Sequence, residues 1–128
     1  MSVRVVRLGT PRVPAEGIRI GTVRRPPRGV PKAQFSARNW YDVWFPNLAP
    51  SVETMKLGQA AASPAQWSAF TRKYRSEMAA PAAQHDLKLL AALSHTANFS
   101  VGCYCEDENR CHRSILRQLL VENGARVE

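Results

Sequence analysis

All three cysteines of this 128-residue chain lie in one ten-residue stretch, Cys103 to His112, together with one of its three histidines. A thiolate can act as a nucleophile or as a metal ligand, and an imidazole can act as a base or as a ligand. Arg110 and Arg113 flank the last cysteine, Cys111, with cations that favour a thiolate and attract anions. No other segment brings nucleophiles, metal ligands and cations so close together, so we expect the chemistry of the chain here.

The residues on either side of this stretch predict a strand followed by a turn and a helix. Residues 97–104 alternate apolar and small polar side chains, and residues 113–124 have helical spacing with a glycine at the end. In open α/β sheets such a turn lies at the carboxyl end of a strand and faces a helix N-terminus, where these folds bind ligands and anions. We therefore expect residues 105–113, called here the cysteine turn, to line a site.

The first interpretation of the cysteine turn is a thiol-dependent enzyme. Its candidate catalytic residues are Cys111, His112, Arg113 and Cys105. A cysteine is then the nucleophile, the histidine is its base or orients it, and arginine holds an anionic substrate that contains phosphate, sulfur or a nucleotide. We expect Cys111 to be the more reactive thiol, because the dipole of the following helix favours its thiolate. Cys105 is followed by carboxylates at residues 106–108, which are expected to keep it protonated.

Three other interpretations of these residues remain open. All three cysteines and His112 could bind zinc, but their spacing is unusual for this ion, and consecutive residues entering a helix diverge by about 100°. We therefore expect no metal and no cofactor. Two of the cysteines could instead form a dithiol redox switch. In the last interpretation the cysteines are only structural, with Cys103 buried as a small hydrophobic residue and Arg113 paired with the acidic loop.

The net charge of +8 is concentrated near the N-terminus. Residues 1–38 contain nine Arg or Lys residues and a single acidic residue, Glu16. Such a surface attracts phosphorylated small molecules or nucleic acid, or it simply keeps the protein soluble. The alternative function is therefore nucleic-acid binding or metal binding with structural cysteines. The candidate anion-binding residues are Arg24, Arg25, Arg28, Arg110 and Arg117.

The length and the pattern of elements predict a single small α/β domain over residues 1–128, with a mainly parallel sheet flanked by helices. The predicted elements are strands at residues 3–8, 18–23 and 97–104, and helices at residues 36–45, from Pro64, from Pro81 and at residues 113–124. Prolines make residues 24–31, called here the arginine loop, a surface loop. Since this loop and the cysteine turn both follow strands of one sheet, we expect a shared pocket suited to an anion.

Composition predicts a cytoplasmic protein with no membrane association. Hydrophobic residues make up 45% of the chain, and no apolar run approaches the roughly 20 residues that a membrane span needs. The N-terminal residues lack the apolar stretch of a secretory signal. Three clustered cysteines do not form a disulfide framework, so we expect thiols in a reducing compartment.

The cysteine turn resembles the Cys...Cys-His-Arg signature of an uncharacterised bacterial family, the YeaO-like or DUF488 proteins. Other stretches resemble that family in the same order, namely Pro27-Arg28-Gly29, Leu48-Ala-Pro-Ser51, Trp67-x-x-Phe70 and Tyr74-x-x-Glu77-Met78. Many members carry an Asp-Arg pair before the Pro-Arg-Gly stretch, where this chain has Val23-Arg24. The resemblance covers most of the chain and implies a compact α/β fold with both loops as site elements, but no known reaction.

Overall fold

In the computed structural model, which describes residues 1–128, four short strands form one parallel sheet. The strands are β1 (Val3–Arg7), β2 (Ile18–Gly21), β3 (Val43–Trp44) and β4 (Phe99–Cys103). Their order across the sheet is β1-β4-β2-β3, and every neighbouring pair is parallel. The predicted small α/β fold with a parallel sheet is therefore confirmed.

Four α-helices accompany the sheet. They are α1 (Val52–Ala60), α2 (Pro64–Met78), α3 (Pro81–Leu93) and α4 (His112–Glu122). The Ser63 side chain accepts a hydrogen bond from the backbone N–H of Gln66, and Pro64 occupies the first turn of α2, as the sequence predicts. None of the helices combines the length and the apolar composition that a membrane span requires.

The core lies around β4, every residue of which is buried. Val101 of this strand belongs to the same apolar cluster as Leu87 of α3 and Leu116 of α4. Tyr74 of α2 is also buried there, and its hydroxyl donates a hydrogen bond of 2.7 Å to the carbonyl of Leu48. The alternation of apolar and small residues along this strand is the pattern from which its position was predicted.

The helix predicted for residues 36–45 is wrong. The segment contains turns and then β3, which pairs with β2. The side chain of Asp42 accepts the backbone N–H of Arg19 in β2 at 2.8 Å, and this contact fixes an extended path. Tyr41 is 3% exposed and packs in the core, whereas Trp44 is 44% exposed.

The register of the sheet brings three loops to one edge. Gly21 of β2 is opposite Gly102 of β4, and Arg7 of β1 is opposite Cys103. The chain segments that follow β1, β2 and β4 therefore start side by side. The last two of these segments are the arginine loop and the cysteine turn.

Candidate functional site

A cavity of about 850 Å³ opens at this edge of the sheet. Its wall includes residues 24–28 of the arginine loop, residues 103–105 where β4 leads into the cysteine turn, and residues 110–112 of that turn. Aromatic side chains provide much of its apolar surface, namely Trp40, Trp67, Phe70 and Tyr104. The two segments that the sequence predicts to meet thus line one cavity.

Cys103 and Cys111 line this cavity although each residue is only 2% exposed. Cys103 ends β4, and Cys111 directly precedes α4. Their sulfur atoms are in contact, while their Cα atoms are 7.8 Å apart. Most disulfides have Cα separations of about 4.4–6.8 Å, so we interpret the two residues as a pair of thiols rather than as a permanent crosslink.

The ring of His112 is oriented by a backbone carbonyl. Its Nε2 lies 2.7 Å from the carbonyl oxygen of Thr22, and because a carbonyl only accepts hydrogen bonds, Nε2 must carry the proton. The unprotonated Nδ1 then lies 3.8 Å from the sulfur of Cys111. Burial lowers the pKa of His112 to about 4, so the ring is neutral near neutral pH. A neutral imidazole in this position can accept the proton of the thiol.

Consecutive Cys and His side chains converge here, contrary to the sequence-based expectation. Cys111 has extended backbone angles, φ −130° and ψ 151°, whereas His112 is the first residue of α4. The divergence of about 100° between successive helical residues therefore does not apply to this pair. The potential ligand atoms of Cys103, Cys111 and His112 all lie within 4.8 Å of one another. Two sulfurs and one nitrogen are also a ligand set that zinc accepts.

Arg113 positions the cysteine turn and does not line the cavity. Its guanidinium is buried, and Nη2 donates a hydrogen bond of 2.6 Å to the carbonyl of Cys105. Cys105 is exposed and lines the cavity, and partial loss of water raises the pKa of its thiol while Arg113 and Arg7 lower it. The pKa of Cys105 is thus raised as expected, but the cause is desolvation and not the neighbouring carboxylates.

Arg25 and Arg28 are cavity residues whose guanidinium groups have no protein partner. Both are exposed, and neither side chain forms a hydrogen bond or an ion pair. Pro26 and Pro27 lie between them and restrict the backbone of the loop. The hydroxyl of Tyr104 donates a hydrogen bond of 2.8 Å to the carbonyl of Arg25. This contact ties the arginine loop to the residue that separates two of the cysteines.

The other three arginines predicted to bind an anion are engaged by the protein itself. Arg24 donates to three backbone carbonyls within residues 46–50, at 3.0–3.3 Å. Arg110 donates to a backbone carbonyl between α1 and α2, and its guanidinium lies 5.4 Å from the centroid of a tryptophan ring. Arg117 forms an ion pair of 2.8 Å with Glu108 and does not line the cavity. These side chains hold loops in place.

Part of the N-terminal positive charge is neutralised in the same way. The ion pairs are Arg4 with Glu128, Arg7 with Glu106, Arg12 with Asp42, and Arg19 with Glu16. Arg19 is fully buried and cannot meet a ligand. The exposed cations without a carboxylate partner in residues 1–38 are Arg25, Arg28, Lys32 and Arg38. The surface available to a polyanion is therefore smaller than the nine Arg and Lys residues of this segment suggest.

Several cavity residues are missing from the sequence-based set. Trp40 lies in the segment that was wrongly predicted to be a helix, and Gln59 and Arg7 carry no signal that separates them from ordinary surface residues. Tyr104 could have been included, because it lies between two cysteines of the candidate site. Thr22 acts through its backbone carbonyl, which no sequence pattern reveals.

A family model described as "DUF488-N3a: Active DUF488-N3 subclade" matches residues 3–124. No curated protein and no solved structure matches the chain. The match covers nearly the whole sequence and confirms the resemblance found in its motifs. The description of the family names no substrate.

Proposed function

We propose that this chain, which belongs to the DUF488 family, is a thiol-dependent enzyme that acts on an anionic substrate in the cavity. Cys111 is the nucleophile, and His112 accepts its proton. The observation that carries the proposal is the orientation of the imidazole, since a carbonyl bound to Nε2 leaves the basic Nδ1 facing the Cys111 sulfur. A nucleophile, its base and a group that orients the base together form an activated nucleophile.

The lowered pKa of His112 favours proton release over proton uptake, so we place the uptake in the same step as the attack by sulfur. Nδ1 takes the proton as the Cys111 sulfur attacks the substrate, and the positive end of the α4 dipole stabilises the negative sulfur. Burial makes the imidazolium unfavourable, so the ring readily passes the proton on to the leaving group. The same histidine thus serves first as the base and then as the acid.

Anion binding in this proposal rests on Arg25 and Arg28, which have no partner in the protein. Arg113 contributes by fixing the cysteine turn through the carbonyl of Cys105. Cys105 is the alternative nucleophile, but the raised pKa of its thiol makes it the weaker candidate. The enzyme would act in a reducing compartment such as the cytoplasm, where its thiols persist.

A metal centre at Cys103, Cys111 and His112 is the second candidate. The convergence of their ligand atoms within 4.8 Å favours it. The hydrogen bond from Nε2 to the Thr22 carbonyl is also one that metal-binding histidines commonly form. In this case the cysteines would be thiolate ligands and would not be available to attack a substrate.

One set of measurements separates these two functions. The thiols of the reduced protein are alkylated over a range of pH, and zinc is measured by elemental analysis. Under the enzyme proposal, Cys111 reacts with an apparent pKa below about 8.5, His112→Gln slows the reaction, and zinc is well below one ion per chain. The alkylation signal that is lost in Cys111→Ser is the one that belongs to Cys111.

Two results would contradict the enzyme proposal. The first is one tightly bound zinc ion per chain that is lost in both Cys103→Ser and His112→Gln, because this pattern assigns the cluster to a metal. The second is a Cys111 thiol that does not react in reduced, metal-free protein while Cys105 does. Circular dichroism of each variant shows whether the fold is retained.

A further inference from the structure

The proposed nucleophile has a second thiol beside it that the proposed reaction does not use. Cys103 lies on the same cavity wall, and its sulfur touches that of Cys111. Resting on the proposed function, we propose that Cys103 is a resolving thiol and that the substrate is an anionic disulfide or a related compound with a sulfur–sulfur bond. Cys103 displaces the bound half of the substrate from Cys111 by forming a disulfide with it.

The reaction balances as two thiol–disulfide exchanges. The Cys111 sulfur attacks one sulfur of the substrate, the substrate S–S bond breaks, and the first half leaves as a thiolate that takes the Cys111 proton through His112. The Cys103 sulfur then attacks the Cys111 sulfur, and the second half leaves as a thiol with the Cys103 proton. The substrate gains two electrons, and the two cysteines lose them. An external dithiol reduces the Cys103–Cys111 bond and completes the cycle.

Burial of both cysteines supports this order of events. Each is 2% exposed, so an adduct on Cys111 is shielded from thiols in solution. The sulfur of Cys103, in contrast, is already in contact with the sulfur of Cys111. A neighbouring group held in place has a large advantage over a reactant that must diffuse to the site. Cys105 is exposed and does not belong to the sulfur cluster, so it is the less suitable partner.

The connection between the two cysteines suits a bond that forms and breaks in each cycle. Their Cα atoms are 7.8 Å apart, beyond the separation of most disulfides, so the backbone must close slightly when they are oxidised. The seven intervening residues contain only one short 3-10 turn, Glu108–Arg110. The cations Arg25 and Arg28 line the same cavity and favour a disulfide that carries negative charge.

Dithiobis(nitrobenzoate), a dianionic aromatic disulfide, tests the proposal directly because each half released is coloured. All proteins carry Cys105→Ser, so that only the two buried cysteines react. With Cys103 present, we expect two coloured thiolates per chain and a final mass lower than the reduced chain by two hydrogen atoms. With Cys103→Ser added, we expect one thiolate per chain and a stable mixed disulfide on Cys111. The substitution replaces one sulfur atom by oxygen and changes the side-chain volume little, and circular dichroism checks the fold.

Each contrary result has its own meaning. An adduct that persists on Cys111 while Cys103 is present refutes the resolving role and leaves the proposed nucleophile intact. Failure of Cys111 to form any adduct in the Cys103→Ser protein refutes the nucleophile, and with it both proposals. An adduct found on Cys103 instead reverses the assigned roles and also overturns the inference.

Discussion

Replacing Arg25 and Arg28 together by alanine removes the two cavity cations that have no hydrogen-bond or ion-pair partner in the protein. Since both side chains are exposed, each interaction with a bound or approaching anion is expected to be worth at most about 1 kcal/mol. Their combined loss should then cost an anion about 1 kcal/mol, or roughly a fivefold change in rate at a cavity thiol. The rate with a neutral reagent should not change, because it does not depend on attraction to these cations.

The thiol of Cys105 can report this difference, because it is exposed and lines the cavity. Its rate of alkylation by iodoacetate, an anion, is divided by its rate with neutral iodoacetamide, so that changes in thiol pKa cancel. The ratio should fall about fivefold in the double variant at low salt, and the difference should shrink as salt is added. Arg38→Ala removes an exposed cation that does not line the cavity and should leave the ratio unchanged. An unchanged ratio in the double variant, or an equal fall in Arg38→Ala, would refute the reasoning.

Two further predictions concern stability. Burial raises the pKa of Glu77, but hydrogen bonds from Ser51 and Thr54 outweigh burial and keep this pKa below its ordinary value. The ionised carboxylate therefore stabilises the fold at neutral pH, and this stabilisation is lost as the pH falls through the lowered pKa. Glu77→Gln should therefore cost about 1–3 kcal/mol in urea unfolding at neutral pH and less in acid, and a pH-independent cost would contradict this. Gly17 and Gly29 have φ of +79° and +70°, but only at Gly17 would a Cβ collide with a backbone carbonyl. Gly29→Ala should lose about 1–2 kcal/mol and Gly17→Ala clearly more in thermal unfolding, and equal losses would contradict the difference.

Most elements of the fold could be predicted because their signals are local. The proline at the start of α2 and the cap at Ser63 mark one helix, and the alternation of apolar and small residues in β4 marks the central strand. β3 could not be predicted in the same way, since it has two residues and exists only through its pairing with β2. Trp40 and Trp44, like Tyr41 and Phe45, have the four-residue spacing of a helix, but the contacts of Asp42 with Arg19 favour the extended form.

The position of the cavity was predictable, but the contacts of the arginines around it were not. Parallel strands place the segments that follow them at one edge, which brings the arginine loop and the cysteine turn together. Arg24 and Arg25 are consecutive in the sequence, yet the first is held by carbonyls of residues 46–50 and the second is free. Which arginine meets a distant carbonyl depends on tertiary packing, and composition carries no information about it.

The chemistry proposed for Cys111 depends on the pairing of β2 with β4. Both the backbone N–H and the hydroxyl of Thr22 donate to the carbonyl of Gly102 at 3.0 Å, which fixes the residue just after β2. Its own carbonyl is then directed at Nε2 of His112, and this contact leaves Nδ1 as the base. The sequence separation of ninety residues between Thr22 and His112 explains why inspection of the cysteine turn alone left four interpretations open. The turn supplies the reactive groups, and the sheet determines which nitrogen faces the sulfur.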